Sequence, residues 1–224
     1  SALGGKTAGT VTVTNAVAIT GDHDQVTAAL VTAGTKVEVD DATVTINDAN
    51  ATEITAAELS AIGGATLGTV TVTNAVAIEG TEADVTAALV TGGTKVEVDD
   101  ATVSITNTPT IAALNLIAAE TAGVVTATLA ADSLANLGAL NTAGTDAITI
   151  TVNDANAAAL TAANLSALGG KTAGTVTVTN AVAIEGTTAE VTAALVTAGT
   201  LVVVSDATVN ICLLYTSDAA DECL

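Results

Sequence analysis

Two pairs of neighbouring carboxylates, Asp40-Asp41 and Asp99-Asp100, recur in matching contexts along this chain, and Asp206 takes the same place near the C-terminal end. Asn15, Asn74 and Asn180 hold the corresponding positions in between. Side-chain oxygens at close spacing are the donors that Ca²⁺ prefers. Asp40, Asp41, Asp99 and Asp100 are therefore candidate calcium ligands, and calcium is the one cofactor the residue types suggest. Their contexts match neither an EF-hand loop nor the Gly-Gly-x-Gly-x-Asp nonapeptide. Alternating Asp with Asn also keeps like charges from stacking, and that is the simpler reading of the same pattern.

His23 is the sole histidine and stands between Asp22 and Asp24, so it invites a metal site or an acid-base pair. Its counterparts in the other repeats are Glu82-Ala83 and Thr188-Ala189, which carry no such chemistry. A solvated cap residue at the start of a helix is the favoured reading. Gly63-Gly64 and Gly169-Gly170 lack the Lys-Ser/Thr that a phosphate loop requires and read as helix stops. Asn50-Ala51-Thr52 and Asn164-Leu165-Ser166 match the glycosylation sequon, a short pattern that recurs by chance. With no Cys/His cluster and no nucleophile beside a base, the chain is not expected to be an enzyme.

The elements that would position these residues are set by repetition. The stretch at residues 9–19 (Gly-Thr-Val-Thr-Val-Thr-Asn-Ala-Val-Ala-Ile) returns at 68–78 and at 174–184. Glycines 9, 34, 68, 93, 123, 144, 174 and 199 open about eight segments of two alternating kinds. In one kind Val11 and Val13 alternate with Thr10, Thr12 and Thr14; in the other Val37 and Val39 alternate with Lys36, Glu38 and Asp40. Both patterns predict a half-buried strand. A corner at Asn15-Ala16 or Asp41-Ala42 and a second short strand, Val17-Ala18-Ile19 or Val44-Thr45-Ile46, follow. A polar cap then leads into a short helix, with Val26 and Leu30, or Ile54, Leu59 and Ile62, on its inner face.

Each rung thus reads strand, corner, strand, cap, helix. A connection carrying a helix implies parallel strands, so the expected fold is α/β: a solenoid with a parallel β-sheet. Helices need about 8 Å between axes and strands about 4.8 Å, so the stack should curve into a leucine-rich-repeat-like arc with helices convex and strands concave. The alternative is an antiparallel stack of β-hairpins, with Thr14-Asn15-Ala16 as the turn. It lacks the Asn-Gly or Asp-Gly such turns favour. Pro109 and the irregular segments from 106 to 142 are expected to interrupt the rhythm.

Composition limits the partners. The 224 residues carry 24 acids against four lysines, a net charge of −20, which excludes nucleic acid and anionic lipid as partners. Half the residues are apolar, with no Phe, Trp or Met, so each layer buries only small, branched side chains. Thr, Asn, Gly or Asp interrupts every apolar run, so no membrane span is expected.

Three resemblances bear on function. The Val-Thr-Ala-Ala-Leu helices and Gly-Thr-Val-Thr-Val-Thr strands resemble the tandem repeats of very large secreted or surface bacterial proteins, of the adhesin and S-layer-associated type. That implies a structural or adhesive spacer, extracellular or on the cell surface. Its partners would be neighbouring repeats of the same longer chain, other surface proteins or glycans. The Thr-x-Thr strands at Thr10/Thr12/Thr14, Thr69/Thr71/Thr73 and Thr175/Thr177/Thr179 resemble the threonine arrays of β-solenoid ice-binding proteins, although Lys36, Glu38 and Asp40 or Lys95, Glu97 and Asp99 are expected in the intervening layers. Finally, residues 212–222, from Cys212-Leu213-Leu214-Tyr215 to Asp221-Glu222, resemble the translation of a transposase-type sequencing adapter. The expected organisation is a single repeat array over residues 1–211, a fragment open at both ends from environmental DNA, with 212–224 a non-native tail outside the fold. Without that tail the chain has no cysteine and still carries 21 of its 24 acids.

Overall fold

The Val-x-Val stretches form strands because alternation places every second side chain on one face. The structure, a computed structural model, describes residues 1–200 and 202–212. Along the chain lie β1 (Thr12–Val13), β2 (Ala18–Gly21), α1 (His23–Leu30), β3 (Glu38–Val39), β4 (Thr43–Ile46), β5 (Glu53–Thr55), α2 (Ala56–Gly63), β6 (Val70–Val72), β7 (Ala77–Gly80), α3 (Glu82–Leu89), β8 (Glu97–Val98) and β9 (Thr102–Ile105). Then come α4 (Ile111–Ala118), β10 (Val125–Thr128), α5 (Leu134–Leu137), β11 (Ala147–Val152), β12 (Ala159–Thr161), α6 (Ala162–Gly169), β13 (Val176–Val178), β14 (Ala183–Gly186), α7 (Thr188–Leu195), β15 (Val202–Val204) and β16 (Thr208–Ile211). The fold is α/β, and every strand pairing among the described residues is parallel, so the hairpin alternative does not apply.

The strands stack in four columns: β1-β3, β2-β4-β6-β8, β5-β7-β9-β10-β11-β13-β15 and β12-β14-β16. The rungs are therefore not the uniform two-strand units expected. Twice the chain steps sideways, from β4 into the β5 column and from β11 into the β12 column. Both steps use the same five residues, Asn-Asp-Ala-Asn-Ala, at 47–51 and 153–157. The last alanine of each has a positive φ, 61° at Ala51 and 62° at Ala157. The N–H of each donates to the next layer, at Ala75 O and Ala181 O (2.7 Å each), which holds the turn in place.

Helix starts are fixed by side-chain caps. Asp22 accepts from the Gln25 N–H, while Thr55, Thr81 and Thr187 form capping boxes with Glu58, Asp84 and Glu190. The cap at Thr55 corrects one boundary: Ile54, expected on the inner face of a helix, is the inward residue of β5. Helices pack α1 on α2, α2 on α3, α3 on α4, α5 on α6 and α6 on α7. One apolar cluster runs through all layers, joining strand residues such as Val44, Ile78, Val103 and Ile150 to helix residues such as Leu59, Leu89, Leu114 and Leu165. Each fully buried Leu or Ile contributes about 1.5–3 kcal/mol. In the irregular middle, β9 ends at Ile105, Pro109 is buried just before α4, and the layer at β10 has a single strand.

At the C-terminal end the Cys212 N–H donates to Gly186 O (2.9 Å), one residue beyond β16, and its thiol is free and exposed. The rest of the expected tail, residues 213–224, lies outside the described residues.

The left-handed backbone at Ala51 and Ala157 costs an L-residue roughly 1–2 kcal/mol, which glycine avoids at some entropic cost. Ala51→Gly and Ala157→Gly should therefore each raise unfolding stability by about 0.5–1 kcal/mol in urea titrations. Ala51→Val should lower it, because a β-branched side chain tolerates this conformation worst.

Candidate functional site

The acidic corners are built by bends. Asp40-Asp41 turns β3 into β4, Asp99-Asp100 turns β8 into β9, and all four side chains are exposed. It is their backbone that ties the layers together: Leu67 N–H donates to Asp40 O and Ala122 N–H to Asp99 O, at 2.8 Å each. The first corner lies between the first and second columns and the second between the second and third. The sideways step after β4 separates them, so the single Asp/Asn column expected from the spacing is not formed. Asn74 instead donates its side-chain amide to Asp48 O (2.5 Å), and Asn180 to Asp154 O (2.7 Å), both carbonyls of the sidestep turns. Among the described residues no three His, Cys, Asp or Glu side chains gather as a metal site would require.

A carboxylate the sequence reading passed over proves more constrained. Asp48 is buried, and its two oxygens accept from the His23 backbone N–H (2.7 Å) and from His23 Nδ1 (2.7 Å). The expected solvated cap residue is thus a half-buried partner, with the His23 side chain 16% exposed and that of Asp48 5%. Burial opposes the imidazolium, but the Asp48 hydrogen bond and the negative charges of Asp48, Asp24 and Glu58 outweigh it and raise the His23 pKa above 6.5.

The contact is one instance of a repeated stitch. The first N–H of α3, from Glu82, donates to Asn107 Oδ1, and that of α5, from Leu134, donates to Asp154 Oδ2, at 2.7 Å each. Each acceptor stands two residues beyond the inward residue ending a strand: Ile46, Ile105 or Val152. That spacing is present in the sequence, but a polar residue ahead of a helix reads equally as that helix's own cap. Asp146 is also buried, accepting from the Val125 N–H and the Ala143 N–H (2.9 Å each). These carboxylates bridge layers.

The threonine strands are arranged differently from expectation. Charged strands do border two of them, Thr12 beside Glu38 and Thr71 beside Glu97. But β3 and β8 are the last strands of their columns. In the long column Thr102 and Ser104, Thr126 and Thr128, Thr149 and Thr151, and Thr177 point outward on four successive strands with no charged residue among them. Ser104 lies beside Thr126, Thr128 beside Thr149 and Thr151 beside Thr177.

Comparison with protein families, with curated proteins and with solved structures yields no match for this chain.

Because the His23 pKa is raised on folding, the stability it contributes is fully present below about pH 6.5 and is lost as pH rises through the folded value. The melting temperature should therefore fall between pH 6 and 8, a window set by the histidine value of about 6.5, and His23→Asn should flatten that slope. Asp48→Ala leaves the buried donors of His23 unpaired and should cost about 1–3 kcal/mol in chemical unfolding.

Proposed function

We propose that the chain is a structural or adhesive repeat spacer of a larger extracellular bacterial protein, its layers continuing as a curved solenoid with the helices on the convex side. One observation carries this reading: a single apolar cluster and one parallel mode of pairing run through all the layers, so that each layer templates the next. Such a stack lengthens by about 4.8 Å per strand layer, and its stability grows as a sum of nearest-neighbour terms. The charge of −20 supports a location in a salty exterior, where it is screened. No helix among the described residues is long and apolar enough to cross a membrane. Partners of this spacer would be neighbouring repeats, other surface proteins or glycans.

The uncharged hydroxyl field on β9, β10, β11 and β13 favours a second reading, in which regularly spaced threonines bind an ordered lattice of water, as in ice. Neighbouring strands set one period of about 4.8 Å and alternate residues along a strand another of about 6.6 Å.

A spacer should melt at the same temperature with and without millimolar calcium. An upward shift of several degrees, abolished by Asp40→Asn with Asp41→Asn or by the same changes at Asp99 and Asp100, would replace it with an ion-binding role. Thermal hysteresis in the purified chain, removed by Thr128→Lys, would establish the ice-binding reading; its absence disposes of it.

A further inference from the structure

The chain carries two Asn-x-Ser/Thr sequences, Asn50-Ala51-Thr52 and Asn164-Leu165-Ser166, and the fold treats them differently. Such a sequence is the acceptor for an N-linked glycan and belongs on an exposed loop. The motif is defined by an amide and by a hydroxyl two residues on, so an enzyme that reads it must reach both. The second sequence lies inside α6. Its Asn164 N–H donates to Thr161 Oγ1 (3.3 Å), its Ser166 hydroxyl donates to Ala163 O (3.1 Å), and Leu165 between them is buried. Side chains two residues apart on a helix do not face the same way, so this amide and hydroxyl are not presented together unless α6 opens.

Asn50 stands at the tip of the first sidestep turn. The Thr52 N–H donates to Ala49 O (3.1 Å), closing a four-residue turn with Asn50 second and Ala51, at φ 61°, third. A positive φ in the third place is the mark of a type II turn. The turn is tied on both sides, by Asp48 accepting from the His23 N–H of the layer before and by the Ala51 N–H donating to Ala75 O of the layer after. Asn50 itself is exposed, and among the described residues no hydrogen bond engages its side chain. In the second sidestep turn Asn156 Oδ1 accepts from the Ala181 N–H (3.2 Å). That turn has the same backbone, with the Ala158 N–H donating to Ala155 O (3.0 Å) and Ala157 at φ 62°. The residue after the shared five is Thr52 in the first turn and Ala158 in the second, so the second lacks the hydroxyl that completes the motif.

We propose that the first sidestep turn presents Asn50, and not Asn164, as the acceptor of an N-linked glycan on the folded chain. The donor is of the lipid-linked oligosaccharyl diphosphate class, and the catalyst is an oligosaccharyltransferase. Asn50 Nδ2 forms a bond to the anomeric carbon of the sugar as the bond from that carbon to the diphosphate oxygen breaks. The lipid diphosphate leaves with the electron pair, and one Nδ2 proton passes to a base of the transferase. Asn50 keeps its carbonyl and one side-chain N–H, and no oxidant or reductant enters. Since no contact within the chain uses this side chain, the glycan is added without breaking one, and it projects from the step between the second and third columns. The site rests on the extracellular placement proposed above.

The test is transfer onto the folded full chain by a purified oligosaccharyltransferase with its lipid-linked oligosaccharide, read by glycopeptide mass spectrometry. Asn50 should be modified at least about tenfold faster than Asn164, because α6 has to open before its motif is read. Thr52→Ala should abolish modification of Asn50 with unchanged circular dichroism, since alanine already holds this place in the second turn. Ala158→Thr should add a second glycan, at Asn156, because it gives the matching turn its missing hydroxyl. The glycosylated chain should melt no lower than the bare one. An unmodified Asn50 in the folded chain, Asn164 modified as fast as Asn50, or Ala158→Thr without a second glycan overturns the proposal. The assay supplies the transferase, so its outcome is separate from that of the melting experiments on the spacer role.

Discussion

The parallel backbone ladder between successive layers is the constraint on which the rest of this molecule depends. No side chain here is larger than Leu or Ile in the core, so a layer by itself buries little, and stability accrues only when a second layer covers it. The ladder demands that backbones come within hydrogen-bonding distance over their whole length. That is why Gly68, Gly123 and Gly174 sit where a Cβ would fall 2.2–2.3 Å from a carbonyl oxygen of the layer before. The threonine two residues earlier in each case then caps the same or a neighbouring carbonyl.

Charge is distributed around this ladder in a way that protects it. Edge strands present unpaired N–H and C=O groups and invite foreign strands. Where a column ends inside the array, at β3 and β8, the outward side chains include Glu38 and Glu97, flanked by Lys36 and Asp40 or Lys95 and Asp99. Where strands continue as neighbours, from β9 to β13, the outward residues are threonine and serine. The acidic corners fit the same scheme, since exposed carboxylates turn the chain while their carbonyls bond the next layer.

Buried and half-buried carboxylates do the opposite work. Asp48, Asp146 and Asp154 each accept backbone N–H groups from another layer, satisfying donors that the start of a helix or strand would otherwise leave bare. Asp48 adds the His23 side chain. This makes the only histidine a reporter of how tightly the first two layers are held, and gives the array a pH dependence that its surface acids alone would not give near neutrality.

The sequence by itself determined the α/β character, the parallel direction and most of the inward residues, because strict alternation and capped short helices are local patterns with a single physical reading. Tertiary structure alone decided how the layers are aligned. Val-x-Val strands would pair equally well in line or displaced by a column, and the choice is made by two Asn-Asp-Ala-Asn-Ala turns whose left-handed alanines are held by carbonyls one layer away. For that reason Asp40-Asp41 and Asp99-Asp100, which look like one column when repeats are written beneath each other, belong to different columns. The Thr-x-Thr strands β1 and β6 are bordered by the charged strands β3 and β8, whereas the uninterrupted hydroxyl strands, β9, β10, β11 and β13, are brought side by side by the stacking of the long column. His23 could not be placed from its neighbours Asp22 and Asp24, because the residue that fixes it, Asp48, arrives through the stacking of the next layer.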